Sequence, residues 1–130
     1  MTLSTADRLA IGELVSLHGY LADEHRFDEL HLLLTADATY DVSDFGLGVV
    51  EGLDAIRALW GGGSGEPPAG HHVTNVIVTE DADGVVRVRS KGIAVMADGA
   101  TGTVTYADVV VPTDHGWRIA TRKVIAHPTH

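Results

Sequence analysis

Ile11, Leu14, Val15, His18, Leu21, Ala22 and His25 recur at the three-, four- and seven-residue intervals of a single helix face, which predicts a helix over residues 5 to 24. Ser4 and Asp7 stand at capping-box spacing before it. A second, short helix is predicted over Asp28 to Leu34, and Ala38 to Ser43 reads as a strand. Gly46 and Gly48 punctuate the chain before a short extended piece, Val49 to Gly52, and a third helix near Asp54 to Trp60. Beyond Gly70 the pattern changes to long runs rich in Val and Thr: His71 to Glu80, Val85 to Met96, Thr101 to Pro112 and Trp117 to Ala126. Asp81-Ala82-Asp83-Gly84, Asp98-Gly99 and Asp114-His115-Gly116 separate them as turns. Helices followed by an antiparallel meander predict an α+β domain whose sheet curls around its helices.

A length of 130 residues gives one domain, 1–130, and a 45% hydrophobic content gives it enough apolar surface for a core. No apolar run reaches the ~18 residues that cross a bilayer, and the first residues lack a basic-then-apolar leader, so no membrane role is expected. The absence of cysteine removes disulfides, thiolate zinc sites and cysteine nucleophiles, and a reducing cytoplasm is the expected location. A net charge of −9 with unclustered Lys and Arg argues against nucleic acid as a partner. The eight histidines show no HExxH or comparable spacing, so no metal is expected. Gly61 to Gly70 is rich in Gly and Pro but lacks a phosphate-loop ending; it reads as a flexible connection or as a lid beside a pocket.

Four segments carry a resemblance to a known family: Tyr20-Leu21-Ala22-Asp23-Glu24-His25, Asp37-Ala38-Thr39-Tyr40, His71-His72-Val73-Thr74-Asn75 and Gly116-Trp117-Arg118-Ile119. With the order of elements they make the chain resemble, over nearly its whole length, the SnoaL-like branch of the nuclear transport factor 2-like superfamily. The resemblance implies a cone: three N-terminal helices wrapped by a strongly curved, mainly antiparallel sheet, with a deep apolar pocket at the open end. The superfamily includes scytalone dehydratase, lindane dehydrochlorinase, ketosteroid isomerase, limonene epoxide hydrolase and polyketide cyclases, together with non-catalytic accessory subunits. Fold membership therefore leaves function to the site.

By resemblance, Asp23 and His71 fall on the Asp–His pair of the dehydratase and dehydrochlorinase, in which a carboxylate holds the imidazole in one tautomer as a base. On an ideal helix Asp23 lies about 140° from His18, a tension in that assignment. Strand alternation selects His71 over His72: His71, Val73 and Asn75 share one face, His72 and Thr74 the other. By the same resemblance, His18 matches the pocket position of the isomerase's oxyanion-stabilising tyrosine, and Asp108 its neutral-acid oxyanion donor. Tyr106 shares the face of Asp108, and Tyr40 stands on a strand that usually forms a pocket wall. Val42 replaces the isomerase's base, and Met96 stands near the second histidine of scytalone dehydratase, so neither of those complete constellations is present. The blander readings are a solvated helix-end carboxylate for Asp23, a backbone-bonded strand-end imidazole for His71, and a core imidazole for His18. Tyr40 and Trp60 read as packing residues ahead of substrate contacts. Arg122 and Lys123 read as surface charges, one of which could point inward, and His127 and His130 as a loose tail.

The expected function is that of a cofactor-independent dehydratase, isomerase or cyclase acting on a small hydrophobic, polyketide- or steroid-like molecule. Asp23 and His71 are its catalytic candidates, and His18, Tyr40, Tyr106 and Asp108 its substrate-binding ones. The alternative is a non-catalytic ligand-binding or accessory module of the same fold. A homodimer through the outer face of the sheet is expected, because Val76, Val78, Val88 and Val109 cannot all face inward.

Overall fold

The computed structural model describes residues 2–62 and 66–127; His130 and part of the Gly-rich connection, residues 63–65, lie outside them. Helix α1 spans Thr5–Asp23 and opens on the expected box, the Ser4 hydroxyl accepting from the Asp7 N–H at 3.0 Å and the Asp7 carboxylate from the Ser4 N–H at 3.1 Å. The Ser4 backbone bond, then its hydroxyl, and a third bond from the Trp117 ring hold the Asp7 carboxyl below its usual range. The apolar face of α1 buries Ile11, Leu14, Val15 and Leu21.

The second predicted helix is instead a 3-10 segment, Phe27–Leu32, and strand β1 begins at Leu34, earlier than its predicted start at Ala38, and runs to Asp41. Glu29 has non-helical backbone angles that break the segment. Leu34 pairs with Ile119, and both are fully buried, so sheet pairing draws the end of the leucine run out of the helix. Strand β2 (Val49–Glu51), helix α2 (Leu53–Gly61), and strands β3 (Gly70–Glu80), β4 (Val86–Val95), β5 (Thr101–Thr113) and β6 (Gly116–Ala126) follow. The six strands lie in the order β2-β1-β6-β5-β4-β3, so the last four form the predicted meander. All neighbours are antiparallel except β1 and β6, which run parallel. The sheet is curved and unclosed, with β2 and β3 at its edges and α1 packed chiefly against β3.

Alternation is cleanest on β4, where Val86, Val88, Ser90 and Gly92 face the core and Arg87, Arg89 and Lys91 face out. A methyl group on Gly92 would lie 2.5 Å from the Tyr106 ring, so glycine there makes room for that ring inside the cone. On β3, His71 and Val73 are half-buried while His72 and Thr74 are exposed. Asn75 departs from the predicted face: its φ is +55°, it sits where the pairing register shifts between Thr74 and Ile77, and it is exposed. Among the valines expected to divide between the faces, Val88 is fully buried, Val78 and Val109 are half-buried and Val76 is exposed. Within the described residues no helix is long and apolar enough to cross a membrane.

Candidate functional site

A cavity of about 480 Å³ opens between α1, α2 and the sheet. Its walls carry His18, Tyr40, Trp60, His71 and Tyr106 together with aliphatic side chains, and Pro67 and Pro68 stand at its rim. Aromatic contacts tie the walls to one another: the His18 ring lies 4.7 Å from Trp60 and 5.4 Å from Tyr106, and Trp60 meets Tyr40 edge-on at 6.4 Å. Trp60 and Tyr40 therefore pack and line the cavity at once.

Asp23, the last residue of α1, meets His71 near the start of β3. Its Oδ1 lies 2.7 Å from the His71 Nδ1, and both of its oxygens accept from the His71 backbone N–H at 3.0 Å. The two side chains are 28% and 27% exposed, so the pair sits at the cavity lip and not in the core. Gly19 makes this approach possible, since a Cβ there would lie 2.5 Å from the His71 carbonyl oxygen. Gly19 and Asp23 are one turn apart and press on the strand, while His18 on the adjoining face lines the cavity. The wheel angle between His18 and Asp23 is thereby resolved: Asp23 reaches the backbone of His71, and His18 stands 5.8 Å from its ring.

The interior of the cone holds a second polar group. Arg122 and Asp108 face each other in register on β6 and β5, with Nε to Oδ1 at 2.8 Å and Nη2 to Oδ2 at 2.9 Å, and neither side chain has any exposure. A third nitrogen of the same guanidinium, Nη1, donates to His18 Nδ1 at 2.8 Å, and its central carbon lies 4.2 Å over the Tyr106 ring. Burial alone would lower the Arg122 pKa, but the charge and hydrogen bonds of Asp108 hold it above its usual value. Burial, then Arg122 and His71, keep the His18 imidazole well below its ordinary pKa. Burial likewise raises the Tyr40 phenol and pushes Tyr106 up to about 12, so both keep their protons at neutral pH.

Three sequence expectations need correction here. Asp108 does not line the cavity and has no proton to offer a ligand, because both its oxygens accept from Arg122 behind the wall. Arg122 is not a surface charge but one of the most deeply buried side chains, whereas Lys123 beside it is exposed. Its signal was the carboxylate of Asp108 within a Val-rich strand, which cannot be buried without a cation across the sheet. His127 is anchored as well, its Nε2 lying 2.6 Å from the Thr105 hydroxyl. Among the described residues no three His, Asp or Glu side chains converge as metal ligands.

A family model described as a SnoaL-like domain matches residues 4–123. An NTF2-like protein of cystatin-like fold from Novosphingobium aromaticivorans is 24% identical, covering 96% of this chain and 84% of its own with a TM-score of 0.78. A protein provisionally named an aromatic ring hydroxylase, from the same organism, is 25% identical over 98% of this chain and 94% of its own, with a TM-score of 0.74. A third, provisionally named a scytalone dehydratase and also from that organism, is 22% identical over 96% and 87% of the two chains, with a TM-score of 0.77. Among curated proteins there is no match.

Proposed function

The chain belongs to the SnoaL-like domain family, and from that premise we propose that it is a cofactor-independent acid–base enzyme acting on a small hydrophobic molecule, with His71 as its base. The observation that carries this reading is the 2.7 Å contact between Asp23 Oδ1 and His71 Nδ1 beside an open, largely apolar cavity. A carboxylate has only acceptors, so Nδ1 carries the hydrogen and Nε2 keeps a free lone pair. That nitrogen removes a proton from carbon, Asp23 stabilises the resulting imidazolium, and the electron pair left behind drives elimination, isomerisation or ring closure. General-base help is worth about 10²–10⁴-fold, and orientation between the aromatic walls supplies more. One structural neighbour bears the name of a dehydratase, an elimination of this kind.

The second reading is a ligand-binding or accessory module. It is favoured by the bonds from the His71 backbone to Asp23, which a purely structural aspartate would also make. Turnover of a panel of hydroxylated and ketonic bicyclic compounds by wild type, Asp23→Asn, His71→Ala and the double variant separates the two. The enzyme reading expects each single variant to lose about 10²–10⁴-fold in kcat and the double to lose little more. Ligand retained in native mass spectrometry without turnover supports the module, and full activity in either single variant removes the dyad.

A further inference from the structure

The dyad leaves unused the most costly arrangement in the molecule, a fully buried guanidinium that gives one of its N–H groups to a histidine. We infer that Arg122, held by Asp108, is a positioning residue that fixes His18 as a neutral Nε2–H donor, and that this donor forms a subsite for an acceptor oxygen of the cavity's ligand. The inference rests on the cavity being a ligand site, as proposed above, but not on His71 being a base.

The argument is one of donor and acceptor inventory. Arginine offers only donors, so the 2.8 Å contact with His18 Nδ1 requires a lone pair on that nitrogen. A neutral ring with Nδ1 bare must carry its hydrogen on Nε2. The imidazolium form is excluded twice, because it would set N–H against N–H and a second positive charge beside Arg122. Among the described residues the hydrogen bond of the His18 ring is made at Nδ1, and the ring lines the cavity, so the Nε2 hydrogen is available to a bound molecule. The charged and titratable groups around His18 are Arg122, Asp108 and Tyr106 on β5 and β6, His71 on β3 with Asp23 behind it, and Tyr40 on β1, while His25 and Glu66 line the same cavity from its exposed side. Asp108 is engaged by Arg122 and Asp23 by His71, and the two phenols keep their protons, so among the described residues no carboxylate bonds the ring.

The spacing then restricts the ligand. With the His18 and His71 ring centroids 5.8 Å apart, one small molecule can present an oxygen to one ring and a proton to the other. A ketone and its α-C–H meet that condition. When His71 Nε2 takes the α-proton, the C–H pair becomes the C–C π bond and the carbonyl π pair moves to oxygen, which accepts a hydrogen bond from His18 Nε2–H. An ammonium group, which has only donors, finds no acceptor at His18.

The test is NMR of the whole protein carrying 15N-labelled histidine, with 1-tetralone as the ketone probe and tetralin as its hydrocarbon counterpart. His18 should show one neutral tautomer, Nε2–H with Nδ1 bare, between about pH 5 and 8. Tetralone should move the His18 Nε2 resonance and bind a few-fold to about tenfold more tightly than tetralin, the effect of one net hydrogen bond. The double variant Arg122→Met/Asp108→Leu removes the pair without stranding a buried charge. It should release His18 into mixed tautomers or titration and abolish the preference for the ketone, while Arg122→Lys should retain the lock. A wild-type ring bearing Nδ1–H or titrating in that range would overturn the inference whether or not the double variant folds. So would an unchanged tautomer in the folded double variant, equal affinity for the two probes, or a bound ketone that leaves His18 unmoved. Loss of the proposed dyad function would appear separately, as His71 variants without effect on rate while these His18 signals persist.

Discussion

Burial and the adjoining guanidinium hold the His18 imidazole well below its ordinary value of 6.5, so the folded protein leaves it neutral where the unfolded chain would protonate it. The unfolded state therefore binds the extra proton below about pH 6.5, and stability falls as pH drops through that point while the contribution above it stays constant. The loss approaches about 1.4 kcal/mol per pH unit. Urea unfolding at neutral and mildly acidic pH should show this slope in wild type and its removal in His18→Gln, which can keep an acceptor for Arg122 but cannot titrate. An identical acid slope in both proteins would dismiss the assignment. The pocket position of His18 was legible from helix periodicity and resemblance together, whereas which of Arg122 and Lys123 points inward was not. Strand alternation counted from the buried Ile119 places Thr121 and Lys123 inside, yet Arg122 and Val124 are the buried pair. An irregularity opposite Val109 and Val110 shifts the register of β6 and turns Arg122 inward.

Between elements, the junction that matters is α1 against β3. Alanine at position 19 would gain roughly 0.5–1 kcal/mol of helix propensity over glycine. Its Cβ, however, would lie 2.5 Å from the His71 carbonyl oxygen, so helix and strand would have to part. Overpacking of that kind typically costs about 1–3 kcal/mol, which outweighs the propensity gain. Gly19→Ala should lower the melting temperature and weaken the Asp23–His71 contact, read as a loss of the His71 ring N–H resonance; a more stable variant with that resonance intact would contradict this. Helix α1 and the four-strand meander were legible because their periods are sustained over many residues. The 3-10 segment and the early start of β1 were not, since Leu32-Leu33-Leu34 suits a helix and a buried strand equally, and only pairing with Ile119 decides.

At the scale of the whole molecule, the outer face of the sheet carries a row of basic side chains although the chain carries a net charge of −9. Arg89 and Lys91 on β4 and Lys123 on β6 point outward, near the exposed Ile77 of β3, together with Arg87, which is paired with Asp81. A homodimer through this face is the proposed assembly, and two-fold pairing would bring like charges together at its centre. Its association should therefore strengthen with salt, as the Debye length contracts from about 10 Å at 0.1 M to about 3 Å at 1 M. Sedimentation across that range checks it, and a monomer at every salt concentration would count against the dimer. The sheet's wrapping around the helices was anticipated from element order and resemblance, but the parallel pairing of β1 with β6 left no local trace, because it joins strands far apart in the chain.

The contact between His18 and Arg122 spans 104 residues, which makes the order of synthesis part of the chemistry. Translation at about 5–20 residues per second separates the appearance of the two side chains by about 5–20 seconds. Through that interval α1 and β1 have left the ribosome without the strand that covers them, and local turns cannot substitute for a pairing of such long range. No N-terminal stretch ending before residue 122 can contain the guanidinium that sets the tautomer. The interior of the cone is completed last.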